Sequence, residues 1–221
     1  MSTWIGMPTR RANSNLSGWT SRPLRLARRQ SAGVTLVEFA IVLPIFITTL
    51  FAMIEFGVAF NAVLTINRAS QAGALIAGQA GNSSDADCVI LTKIDDELGA
   101  PVDKTAVQQV EIFRASSTGS TILASSTYTR TGSTDCVPSM AAVPYTASSS
   151  GYPPSQRCNV LSGCPTLTPA RTTVDKIGVQ ITYQYNGVTP LRSVLTFMGG
   201  SGTGYSWTFE KQNESRMEPV L

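Results

Sequence analysis

Apolar residues follow three different rhythms along the chain. From residue 34 to residue 60 they are almost continuous, and Glu38 and Glu55 are the only charges. The uncharged run between those glutamates is about 16 residues, roughly 24 Å of helix. A bilayer core needs about 20 apolar residues, so a spanning helix must also take in residues 34–38 or 55–60. One glutamate is thereby drawn into or against the hydrocarbon, where a carboxylate costs about 3 kcal/mol and is a functional suspect by default. Glu55 lies about 25 Å beyond Glu38 and is expected at the outer interface, in solvent. Pro44 removes a backbone hydrogen bond and predicts a kink near Ala40 to Val42.

The second rhythm has a period near four. Ala69, Gly73, Ala77 and Gly81 form a stripe of small residues that admits another backbone, either a neighbouring subunit or the chain's own sheet; fraying at the glycines is the alternative. Ser83-Ser84-Asp85 then offers a helix start, with Asp87 in the first turn and Cys88, Leu91, Ile94 and Leu98 on one face until Gly99 and Pro101.

The third rhythm has a period of two. Ile177, Val179, Ile181, Tyr183 and Tyr185 alternate with polar residues or glycine. Val110 with Ile112, residues 122–128, and Tyr205, Trp207 and Phe209 give further strand signals. Such alternation predicts an antiparallel sheet covered on one face, with the aromatic stripe in its core. The expected fold class is therefore α+β: a long N-terminal transmembrane helix extending into a small extracytoplasmic domain (residues 61–221), with an antiparallel sheet packed on helices. Residues 130–172, rich in Ser, Thr, Pro and Gly and carrying three cysteines, are expected to form a long disulfide-pinned excursion. Residues 199–204 read as a flexible turn, not a phosphate loop, because no lysine-serine or lysine-threonine pair follows.

Charge adds orientation. Residues 1–33 carry six arginines and no acidic residue, so losing them takes the net charge from +3 to −3. The basic balance belongs to this leader, and the rest of the chain shows no basic cluster interleaved with aromatics; nucleic acid is not an expected partner. Arg25, Arg28 and Arg29 precede the span, and Arg68 alone follows closely. That places the N-terminus in the cytoplasm and residues 61–221 outside. A cleavable secretory signal fits less well, since its apolar core is shorter and small residues follow it at once.

Cysteine and histidine usage narrows the chemistry. With no histidine, the commonest general base and metal ligand are missing. We expect no enzyme, no metal, no cofactor and no small-molecule substrate; a hydrolase would need a Ser-Lys or carboxylate pair that no spacing proposes. Cys88, Cys136, Cys158 and Cys164 all follow the apolar segment without a C-x-x-C pair, which favours disulfides in an oxidising compartment over zinc. Three pairings exist. We expect Cys158 with Cys164, closing a small loop, and Cys88 with Cys136, tying a helix to a loop; buried free thiols are the alternative.

The segment Gly33-Val34-Thr35-Leu36-Val37-Glu38 resembles a type IV prepilin processing site, where a peptidase cuts after glycine and the carboxylate becomes the fifth residue of the mature chain. Glu38-Phe39-Ala40 running into Leu43-Pro44, the second Glu55-Phe56-Gly57, the stretch beginning Asn67-Arg68-Ala69 and the C-terminal Arg216-Met217-Glu218-Pro219 resemble TadE/TadG-like proteins of tight-adherence pilus systems. The 33-residue leader departs from the short leaders of many members. The resemblance implies a pilin-like fold and a minor subunit or assembly component of the pilus. Its processing site would be Gly33 and Val34, and Glu38 would dock to the assembly machine or an adjacent pilin. The implied partners are the membrane, a prepilin peptidase, other pilin or pseudopilin subunits and the assembly platform. A plain single-pass anchor bearing a surface binding domain is the competing reading.

Overall fold

The computed structural model describes residues 24–119, 121–130, 143–190 and 206–219. It divides into two compact units, one ending at Phe46 and one beginning at Ile47. Helix α1 (Leu24–Ala80) contributes to both and runs through Pro44.

In the first unit, every residue from Gly33 to Phe46 is exposed, including Val34, Leu36, Phe39, Ile41 and Phe46. A helix that is apolar all round and unburied by its own protein has a lipid environment as its natural solvent. Among the described residues one helix is long and apolar enough to cross a membrane, Gly33–Ala80, near the N-terminus.

The second unit begins with the same exposed apolar surface and changes at Glu55. From there, Glu55, Ala59, Ala62, Ile66, Ala69, Ser70, Ala74 and Ala77 are buried. Their spacing of three and four keeps them on one helix face. That face lies on a five-stranded antiparallel sheet of β1 (Val107–Ala115), β2 (Ile122–Thr129), β3 (Thr146–Ser150), β4 (Lys176–Asn186) and β5 (Ser206–Arg216), in the order β3-β2-β1-β4-β5. Ile177, Val179, Ile181, Tyr183 and Tyr185 of β4 are buried with Val110 and Ile112 of β1. Helix α2 (Ala86–Glu97) adds Ile90, Leu91 and Ile94 to the same core.

The small residues of α1 settle which backbone comes close: it is the domain's own. A Cβ on Gly73 would stand 2.7 Å from Ile94 Cγ1, and one on Gly78 would stand 2.9 Å from the Arg216 carbonyl oxygen. Ser70 Oγ donates to the Val179 carbonyl at 2.7 Å, and Asn213 Nδ2 donates to Asn67 Oδ1 at 3.2 Å. The helix does not fray at its glycines. It ends at Ala80, and Gly81 follows with φ of +63°, the left-handed conformation that terminates helices without a Cβ penalty. The Glu218 amide then donates to the Gly78 carbonyl at 2.9 Å, filling one of the acceptors a helix end leaves open.

This is the α+β arrangement that the periodicities predict, with two differences. Strand β3 lies inside the stretch read as an irregular excursion; its sequence, Thr146-Ala147-Ser148-Ser149-Ser150, has no apolar alternation because it is an edge strand, largely exposed. Strand β5 runs to Arg216, well past its aromatic residues, because backbone pairing with β4 continues without them.

The rest of the excursion is pinned by polar contacts. The Cys158–Cys164 disulfide forms. Cys88 is also disulfide-bonded, and Cys136, its expected partner, lies outside the described residues. Asp175 accepts from the Tyr152 hydroxyl at 2.9 Å and the Cys158 amide at 3.0 Å, and pairs with Arg171 Nε at 3.1 Å. Arg157, wholly buried over the Tyr152 ring, is ion-paired with Asp87, which also accepts from Tyr128. Burial pushes the Tyr128 and Tyr152 hydroxyls far up, reinforced by the neighbouring aspartates, so both remain donors. Asp95 is held by Arg130 at 2.5 Å and Lys104 at 2.9 Å. Burial opposes its ionisation, yet the bonds from Arg130 and Lys104 outweigh that, and its carboxyl lies below the usual aspartate range.

Two outcomes follow. Gly78→Val should lower the head's stability by about 1–3 kcal/mol by pushing β5 off α1. Gly57→Ala, whose Cβ would meet open space, should not lower it, since alanine is the better helix former; thermal unfolding in detergent compares them. Asp95 contributes stability that is complete above the pKa of an unfolded aspartate, about 3.9, and is lost as pH falls through its lower native value. Asp95→Asn should therefore flatten the acid limb of the unfolding midpoint against pH, and an unaltered limb would refute the assignment.

Candidate functional site

Two carboxylates punctuate α1, and the fold treats them in opposite ways. Glu38 is exposed on the all-apolar part of the helix and has no hydrogen-bond or ion-pair partner among the described residues. Gly33 and Val34 lie one turn earlier on the same helix. Gly33 has open space where a Cβ would be, and Val34 is 59% exposed. No side chain among the described residues covers the backbone at Gly33, and glycine itself adds no Cβ to obstruct a close approach by another molecule. Val34 and Glu38 are four residues apart, so an amine created at Val34 and the Glu38 carboxylate would lie on one side of the helix, about 6 Å apart along its axis.

Glu55 corrects an expectation. Sequence reading puts it in solvent at the outer interface, whereas the structure buries it to 2% exposure. Its Oε1 accepts from the Tyr185 hydroxyl at 2.6 Å and the Val188 amide at 3.0 Å, and its Oε2 accepts from the Thr189 amide at 2.8 Å. The physical reason lies in the chain after β4. That strand ends at Asn186, and the following residues turn across α1, where two backbone donors need an acceptor that no strand supplies. The signal was present: Glu55 stands four residues before Ala59, in register with the buried stripe through Ala62, Ile66 and Ala69. A charge in phase with a small-residue face is aimed at the fold, not at water.

Around Glu55 the surface is aromatic. Phe56 and Trp207 have ring centroids 6.0 Å apart, and Trp207 stacks on Tyr185 at 6.0 Å. Phe56 is 67% exposed, and Phe60 and Val188 are similarly open. The expected core stripe is therefore divided: Tyr183 and Tyr185 are buried, while Trp207 faces outward at 37% exposure. Aromatic side chains collect at membrane–water boundaries because one end is apolar and the other wet.

Removing the Glu55 carboxylate would take an acceptor from the Tyr185 hydroxyl and from the Val188 and Thr189 amides. Glu55→Ala should cost about 2–4 kcal/mol of head stability and open residues 187–190 to proteolysis. Glu55→Gln, which keeps one acceptor oxygen, should lose less. Equal protease protection in wild type and Glu55→Ala would show that the carboxylate does not hold this segment.

No curated protein and no solved structure matches the chain. A family model does match part of it, from the glycine before Val34 to the middle of the small-residue stripe of α1. Residues 33–75, which contain Glu38 and Glu55 alike, match the model of the TadE-like protein family.

Proposed function

We propose that the protein is a pilin-like minor subunit or assembly component of a tight-adherence pilus, inserted by α1, cut after Gly33 by a prepilin peptidase, and acting in pilus biogenesis and surface adhesion with its αβ head outside. The observation that carries this reading is the pairing of a TadE-like segment with a Glu38 carboxylate that finds no partner among the described residues of its own chain. A charge on an apolar helix is tolerated when another molecule neutralises it. The amine exposed at Val34 of a neighbouring, processed subunit has the right charge, and a stagger of about one helical turn would bring it level with Glu38. Glu55 has no such role in this reading, because its oxygens are already occupied within the chain.

The reading is structural rather than catalytic. Orientation follows from Arg25, Arg28 and Arg29 ahead of the apolar run and from the disulfide behind it. The assembly platform and other pilins are the proposed partners, with Glu38 as the docking contact.

N-terminal sequencing of the membrane-bound protein, from cells with and without a prepilin peptidase, tests the proposal. Mature chain beginning at Val34 only when the peptidase is present is the expected result. An arginine-rich N-terminus left intact in both would turn the reading to an unprocessed anchor with a surface binding domain. Gly33→Ala should leave precursor in the membrane. Glu38→Ala should be cut normally and be absent from sheared pili; its recovery there in wild-type amounts would remove the pairing role.

A further inference from the structure

The geometry points to an oxyanion-binding pocket at the end of the sheet opposite Glu55, and we propose that it takes the acidic group of a cell-surface or environmental glycan. At this end β1 finishes, β2 and β4 begin and β5 finishes, leaving a pocket of about 370 Å³. Four cationic side chains line it, Arg114, Arg171, Lys176 and Arg216, against one carboxylate, Asp175.

That carboxylate does not neutralise the pocket. Both Asp175 oxygens are already engaged, by Arg171 on one side and by Tyr152 and the Cys158 amide on the other. Glu214, near Arg216 on β5, sits against the turn at Gly119 and does not line the pocket. Three cations therefore remain. Lys176 donates to the Ser117 carbonyl at 2.6 Å, which orients its ammonium without cancelling its charge. The Arg114 side chain has no hydrogen-bond or ion-pair partner among the described residues, and its Nε is shut off from solvent with nothing to donate to.

A second feature points the same way. Lys176 and Arg216 are directly opposite in the β4–β5 register. Like charges in that relation oppose each other, and an anion held between them reverses the sign of the interaction. Guanidinium forks match the paired oxygens of a carboxylate or phosphate. The other walls suit a sugar ring: Thr172 and Thr173 offer hydroxyls, and Leu123 offers an apolar surface. A uronic acid and a sugar phosphate share this chemistry. Access to such a glycan rests on the external placement of the head proposed above; binding itself does not depend on processing.

The test uses the full-length protein in detergent micelles and titration calorimetry. The probes are an oligogalacturonate, an oligosaccharide ending in mannose 6-phosphate, and a neutral oligogalactose of matching length. Saturable binding of at least one acidic probe, weakened by salt, is expected, with none for the neutral one. Which acidic probe binds identifies the carboxylate or the phosphate as the recognised group. Arg114→Gln and Arg216→Gln should each lower affinity about tenfold or more, the loss of one hydrogen bond to a charged group. Arg216 is exposed on the edge strand, so its variant retains the fold, as circular dichroism would confirm. A tenfold loss in either variant supports the site. Failure of both acidic probes to bind, equal binding of the neutral probe, or wild-type affinity in both variants overturns it. Any of these results leaves cleavage at Gly33 untouched, and failed cleavage leaves the titration readable.

Discussion

A single helix in this protein is bare along its first half and buried on one face along its second, and the Glu55 carboxylate marks where the buried face begins. From Val34 up to that residue α1 is apolar on every side except at Glu38, and its surface is largely uncovered by its own fold. Beyond it, the same helix shows a narrow face of alanine, glycine and serine to a sheet and turns its other side outward. Glu55 itself accepts from Tyr185, Val188 and Thr189, so the end of β4 and the residues just after it are fastened to the helix where its buried face begins. The placement of the sheet and the aromatic rim both follow from that junction. If the carboxylate were in solvent, the polar ties between head and helix would begin only at Asn67 and Ser70, about three to four turns further along.

Small residues make the second half of the arrangement workable. Side chains at Gly73 and Gly78 would displace Ile94 and the β5 backbone, so the helix sits close enough for Ser70 to reach the Val179 carbonyl and for Asn67 to meet Asn213. Close approach also lets the short tail after β5 complete the helix end through Glu218 and Gly78, while Met217 fills the space beneath at 1% exposure. The Arg-Met-Glu-Pro tail thus serves the fold twice, since its backbone caps a helix and its methionine closes the core.

Much of the fold was legible because it obeys simple periods. Residues 175–185 alternate cleanly and form β4, and Cys88 to Leu98 carries a helical face that becomes α2. Strand β3 was not legible, since five small polar residues on an exposed edge bury almost nothing and leave no pattern. The polar cluster of Asp87, Arg157 and Asp175 was equally hidden; its members are far apart in sequence, and no local rule pairs Arg157 with Asp87 across a helix and a loop. The motif at Gly33 to Glu38 could be read directly, because a linear recognition site needs no tertiary context. The buried role of Glu55 needed the phase of the helix face to be compared with the position of the charge.

The contacts that close the head are separated by long stretches of chain, and this has a consequence in time. Ser70 and its acceptor on β4 are 109 residues apart, Glu55 and Thr189 are 134 apart, and Asn67 and Asn213 are 146 apart. Contacts of this range form late and slowly, because their loops must be closed before the interactions reward it. As the chain is made, the alanine and glycine face of α1 is therefore complete before the strands that will cover it have followed. That interval is when the helix is most open to another small-residue helix beside it. Quality control of this protein would then be a race between its own last strand and its neighbours.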